Sequence, residues 1–222
     1  MTPSEVVADL LELLERPDLE SLAYSRFYSA LQSAHKVERL RKDLYIGVIS
    51  DPSVVQGKFT FVQDDYLPRC REVRNITLYK DYIVPSLPDD PIVIDPDKEI
   101  PLSSPFVDLV DRVSARDYYG IKYPHTYTRL GSTVTLSGVS EQTKLIAITY
   151  LGFPSFSKDP ISGEYESDSW ILREFPQLVQ AFLRQHLATV IDSDSIQAAA
   201  MRELAFQRQE FIGTYAKDAI SY

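Results

Sequence analysis

Apolar residues fall at helical spacing at both ends of the chain and alternate in its middle. Near the start, Val6, Val7, Leu10, Leu11 and Leu14 share one stripe. Thr2 can cap that helix, Pro3 fits its first turn, and Glu5 completes a capping box. Pro17 ends it. Phe27, Leu31, Ala34, Val37, Leu40 and Leu44 continue at helical spacing and predict a second helix from about Leu19 to Leu44. With the short connection between them, the two form a helical hairpin.

Beyond Tyr45 the helical period is lost. Lys58 to Gln63 alternates around Phe59 and Phe61, and Glu72 to Tyr79 is a second strand. Six of the 14 prolines follow between Pro85 and Pro105. Such a stretch does not fit a central strand and predicts an extended surface excursion, with Pro91 to Asp95 as a short edge strand. Ser104 and Pro105 read as a cap and first turn, with Phe106, Leu109, Val110 and Val113 as one amphipathic face. Three strands come next, His125–Leu130, Thr133–Ser137 and Lys144–Leu151, the first two joined by a Gly131-Ser132 turn. Residues 152 to 167 have loop composition.

The C-terminal third returns to helix. Leu172, Leu178, Val179, Phe182, Leu183 and Leu187 mark one segment. From Ala198 to about Ala216 a second carries Met201, Leu204 and Ala205, is interrupted by Arg208, and resumes at Phe211 and Ile212. Gly213 is a position where it can fray or end. The fold class is therefore α+β: a helical bundle from the N- and C-terminal helices with an inserted antiparallel β-domain. The expected divisions are 1–50, a helical hairpin; 51–151, the β-rich insert with its proline-rich excursion at 85–105; and 152–222, loop and helices packing back on 1–50.

Composition narrows the function. Of 222 residues, 44% are hydrophobic and 25% charged, which is ordinary for a globular chain. The net charge is −9 and no third of the chain is basic, which argues against a phosphate-gripping surface. The interleaved cations Lys36, Arg39, Arg41 and Lys42 read as a solvated helix end. The single cysteine, Cys70, excludes an intrachain disulfide. No apolar run reaches the roughly 20 residues that cross a bilayer, and the N-terminus has neither the basic nor the apolar region of a secretory signal.

Chemistry-bearing motifs are missing. No glycine spacing fits a phosphate loop or a nucleophile elbow. His35, His125 and His186 are far apart, and none belongs to a metal-binding pattern. Arg69 and Arg71 flank Cys70, yet a nucleophile needs a neighbouring His as well, so a structural thiol is expected. Asp95, Asp97 and Glu99 alternate as calcium ligands can, but Ile100 stands where that loop needs Gly and Phe106 where it needs Glu. No catalytic residue, cofactor or metal is expected. The acidic content leaves a carboxylate-based glycan hydrolase as one alternative. The tyrosines, 14 in all, and the β-meander leave a host-surface or glycan-binding module as another.

One family resemblance covers about two-thirds of the chain, from near Asp64 onward. The run from Tyr123 to Leu136, YPHTYTRLGSTVTL, resembles a strand–turn–strand of head-to-tail adaptor proteins in tailed bacteriophages. Leu145 to Tyr150, followed by Pro154, is similar to the family's next strand. Asp168 to Leu172 and Phe175 to Leu178 resemble its entry into the C-terminal helices, and Asp192 to Gln197 its inter-helix turn. Asp65-Tyr66-Leu67-Pro68, followed by Arg71-Glu72-Val73, resembles the approach to its β-domain. The proline-rich stretch is an elaboration on that pattern.

The resemblance implies a structural virion protein: a homo-oligomeric ring, commonly of twelve copies, in the neck below the portal, assembled in the host cytoplasm. It would bind the portal protein and a tail or nozzle protein. Viral DNA would pass through it without specific binding. C-terminal residues of such adaptors reach the portal, which makes Phe211, Ile212, Tyr215 and Tyr222 the candidate partner-binding residues.

Overall fold

A computed structural model of the chain describes residues 1–82, 92, 94–109, 124–191 and 194–220. The described residues fall into two compact units. One joins Met1–Asp43 to Phe153–Tyr222, and the other is Leu44–Gly152. The expected boundary after residue 50 thus lies after residue 43, because Leu44 already enters a strand.

The first unit is helical. Helix α1 is Pro3–Leu14. The Thr2 hydroxyl accepts from the Glu5 amide at 3.2 Å, and the Glu5 carboxylate accepts from the Thr2 amide at 2.7 Å, satisfying two of the donors a helix start leaves open. Glu15, in the left-handed region, closes it. Helix α2 is Glu20–His35 and buries Ala23, Phe27, Ala30, Leu31 and Ala34.

The long helix expected to Leu44 is therefore too long by nine residues. After His35 the backbone tightens: the Lys36 amide is shared between the Gln32 and Ser33 carbonyls, and the Val37 amide bonds to that of Ala34. Leu40 keeps its burial by a different route, bridging to Ala219 in the C-terminal tail. Its helical spacing to Ala34 reports a buried position, not a continuing helix.

Helix α3, Trp170–Glu174, α4, Pro176–Ala188, and α5, Asp194–Tyr215, complete the unit. The fixed φ of Pro176 starts α4 after a non-helical Phe175. Helix α4 packs between α2 and α5, and α1 packs on both α2 and α4. Their inward faces form one core around Leu10, Phe27, Leu31, Leu178 and Leu183. Gly213 lies inside α5 and does not end it. Within the segment expected to be loop, Ser157–Lys158 pairs with Tyr165–Glu166 as a short hairpin.

The second unit is a pair of sheets. Strands β1 (Leu44–Ser50), β2 (Lys58–Val62), β3 (Cys70–Tyr79), β4 (Val107–Leu109), β5 (Thr126–Leu130), β6 (Thr133–Ser137) and β7 (Leu145–Gly152) run through it. One sheet has the order β1-β7-β3 and the other β2-β6-β5-β4. Every pair is antiparallel except β4 with β5. Alternation aims Phe59, Phe61, Val134 and Leu136 of one sheet at Ile76, Leu78, Ile146 and Ile148 of the other, giving a sandwich core. Central β7 is apolar on both faces, and its outer face is covered by Tyr82, Ile92 and Ile94.

Two expectations change here. Phe106 and Leu109 do not start a helix: Val107–Leu109 is a strand, and Val110 and Val113 lie outside the described residues. The proline-rich stretch is also more than a surface excursion. The Ile100 amide bonds to the Leu78 carbonyl at 2.8 Å and the Lys80 amide to that of Lys98 at 2.8 Å, so residues 98–100 pair with the end of β3. Ile100, Leu102 and Phe106 then pack on the sandwich core. Of the expected edge strand from Pro91 to Asp95, residues 91 and 93 lie outside the described residues, and Ile92, Ile94 and Asp95 belong to no strand.

Candidate functional site

The residues singled out near the C-terminus divide by the face of α5 they occupy. Leu204 and Phe211 point inward with Ala200, while Met201, Ala205 and Ile212 point outward. Phe211 is 1% exposed. Its ring packs on Trp170, Phe175 and Tyr215 with centroids 6.0, 5.6 and 5.0 Å away. It is a core residue of its own chain, which corrects its reading as a contact side chain. Ile212 is 41% exposed and stays open to a partner. Tyr222 lies outside the described residues.

Tyr215 also works within the chain. Its hydroxyl donates to Glu174 Oε2 at 3.0 Å. Lys42 Nζ reaches the same oxygen at 2.5 Å and stands 4.8 and 5.1 Å from the ring centroids of Trp170 and Tyr215. The Lys42 hydrogen bond holds the Glu174 carboxyl below its usual range. Burial, followed by the Glu174 carboxylate, pushes the Tyr215 phenol up to about 12. The tail is tied down beyond this clasp, because the Ile220 amide donates to the Arg39 carbonyl at 2.8 Å.

Of the cations at 36–42, exposed Lys36 is the C-cap of α2, as a helix-end cation should be, and it also lies 5.3 Å from the centre of the Phe153 ring. Lys42 lies beyond the helix, where it joins the aromatic clasp. Cation–π attraction explains why both carry an ammonium beside an aromatic face.

The structure also assembles a network that sequence reasoning missed. His35 Nδ1 lies 2.8 Å from Asp43 Oδ1, and His35 Nε2 lies 2.9 Å from Ser169 Oγ. Trp170 Nε1 donates to the same Asp43 oxygen at 2.8 Å. An ionised Asp43 only accepts, so Nδ1 is the donor on that side. Nε2 takes the Ser169 proton when the ring is neutral and donates to the hydroxyl oxygen when it is protonated. Serine, histidine and aspartate stand in the order of a hydrolytic relay. All three are only 2% exposed, however, and Trp170 competes for the aspartate. A substrate carbonyl has no approach to Ser169 Oγ in this arrangement. The network locks the end of α2, the connector and the start of α3 together. No local signal marks it, since 134 residues separate His35 from Ser169.

Two open clefts border the 157–166 hairpin. One, of about 620 Å³, is lined by Glu20, Tyr24, Lys158, Glu164 and Tyr165, and the other, of about 460 Å³, by Thr2, Ser155, Glu166 and Asp168. Glu20 and Glu164 are exposed, so the larger cleft is a wet groove. Half-buried Cys70 begins β3 and packs on the sandwich core. Among the described residues no group of three or more His, Cys, Asp or Glu side chains can hold a metal ion. Among them, too, no helix is long and apolar enough to cross a membrane.

Compared with known proteins, the chain matches no family model and no curated protein.

Proposed function

We propose that the protein is a structural virion subunit, a ring-forming adaptor that joins the portal of a tailed phage to its tail and extends the DNA channel. The architecture carries this reading. Both termini contribute helices to one unit, and an antiparallel β-unit is inserted between them, as the adaptor resemblance of Tyr123–Leu136, Leu145–Tyr150 and Asp168–Leu178 implies. The outward residues Met201, Ala205 and Ile212 of α5 supply an apolar surface for a neighbour. A net charge of −9 suits a channel in which DNA slides without persistent phosphate contacts.

In this role the subunit performs no covalent step. A head-to-tail ring, with twelve copies as the expected number, uses two different patches on each subunit, and closure removes the exposed ends. It would sit in the virion neck after assembly in the host cytoplasm. The test is to mix the purified protein with the portal protein of its phage, determine the mass of the complex and image it by electron microscopy. Rings seated on the portal are the expected result. Failure to associate with the portal or with any tail component overturns the reading.

A further inference from the structure

Ile161, at the tip of the 157–166 hairpin, is 95% exposed, more than any other large apolar side chain among the described residues. The tip is rigidly built. The Asp159 carboxylate accepts from the Ile161 amide at 2.8 Å and from the Ser162 hydroxyl at 2.7 Å. The Gly163 amide bonds back to the Asp159 carbonyl at 2.9 Å, with Gly163 in the left-handed region at φ 74°. Stacking fixes the base of the hairpin: Tyr165 lies on Tyr24 of α2 at 4.4 Å, and Phe156 on Phe27 at 5.2 Å. A preordered projection loses little conformational freedom when it docks, so a single apolar anchor there is effective.

The outer face of α5 complements this tip. At 3.6 residues per turn, Ala198, Met201, Ala205 and Ile212 share one exposed side of the helix, with Arg208 and Gln209 in the turn between Ala205 and Ile212, and Met201 is 62% exposed. The two small alanines on either side of Met201 leave hollows of the kind that accept a side-chain knob. Arg202 and Arg208 border the stripe, whereas Glu203 and Glu210 lie on other sides of the helix, Glu203 paired with Arg184 of α4. The hairpin has the opposite bias, with Asp159, Glu164 and Glu166 against Lys158. Position matters as well. The hairpin packs on α1 and α2, and α4 stands between α2 and α5. Knob and socket therefore sit on elements that do not neighbour each other in one copy, so two copies can engage head to tail.

We infer that the Ile161 tip of one copy seats on the Met201–Ala205–Ile212 stripe of the next, with the hairpin carboxylates facing Arg202 and Arg208. This rests on the ring reading above and names its contact. Sedimentation velocity over a range of protein concentrations tests it on the wild type, on Ile161→Ser and on Met201→Glu, both exposed positions whose replacement leaves the core intact. Each variant should weaken self-association about tenfold or more, the loss expected when an apolar anchor of this size is removed. In a Cys70→Ser background, mixing Ile161→Cys chains with Ala205→Cys chains should give a 161–205 disulfide between copies as the dominant product. If the wild type associates and both variants associate equally well, the knob is overturned while the ring stands. If the wild type stays monomeric at every concentration, the same three proteins are compared on the portal: rings formed equally well by both variants overturn the knob alone, and the absence of rings with the wild type overturns the ring reading itself.

Discussion

Asp43 shows how one residue can hold a region together. It accepts from both His35 and Trp170 with one oxygen, deep in the helical unit. Asp43→Ala leaves two buried donors without that acceptor, at a cost of about 2–6 kcal/mol in urea denaturation, since each orphaned buried group costs about 1–3. A loss under about 1 kcal/mol would show the network to be ornamental. His186 tests burial differently. Desolvation, followed by the nearby Arg26 charge, lowers its pKa. A group lowered on folding contributes stability that is full above its unfolded value of about 6.5 and lost as pH falls through the lower folded value. His186→Gln should therefore flatten the fall in urea midpoint between neutral and mildly acid pH; an unchanged slope assigns that fall to other groups. None of these partnerships is legible in sequence, because a hydrogen bond between distant residues leaves no periodic trace. The inward turn of Phe211 escaped for a related reason: Phe211 and Ile212 look alike as neighbouring apolar residues, and only the packing of α5 on α4 sends one in and the other out.

At the scale of elements, what could be read was whatever local chemistry decides. The Thr2–Glu5 box, the Gly131 turn, the alternation of β2, β5 and β6 and the continuous apolar run of β7 all appear where residue types place them. Elements decided by partners did not. Strand β1 carries apolar residues with little alternation, and it is a strand because β7 lies beside it in register from Leu44–Leu151 to Ser50–Leu145. Strand β4 exists by pairing with β5. Gly138 marks another tertiary constraint. It sits at φ 85°, and a Cβ there would stand 2.0 Å from the Pro124 carbonyl oxygen. Gly138→Ala should cost at least about 2 kcal/mol, from a left-handed backbone plus a clash with main chain. A variant with wild-type thermal stability would mean that the 124–125 segment yields easily.

The whole molecule is organised by an insertion. The β-unit leaves and returns through β1 and β7, whose ends at Leu44 and Leu151 lie opposite one another. The helical unit is thus interrupted between Asp43 and Phe153, and it keeps a core of its own around Phe27 and Leu183. Replacing residues 44–152 by a Gly/Ser linker of about four residues, enough to cross one strand pair, should yield a folded helical protein. Its circular dichroism would be dominated by helix, and Trp170, 7% exposed in the intact chain, would keep the blue-shifted emission of a buried indole. An unfolded product would show that the helices need the insert in order to fold.

By itself the sequence determined the α+β class, the caps and tight turns, and which residues seek burial. These follow from side-chain size, polarity and backbone freedom over a few neighbouring positions. The tertiary structure alone decided where α2 stops, which strand lies beside β7, how His35, Asp43, Ser169 and Trp170 meet, and which side of α5 stays exposed. Those outcomes depend on residues far apart in the chain competing for the same space, and no short window of sequence records that competition.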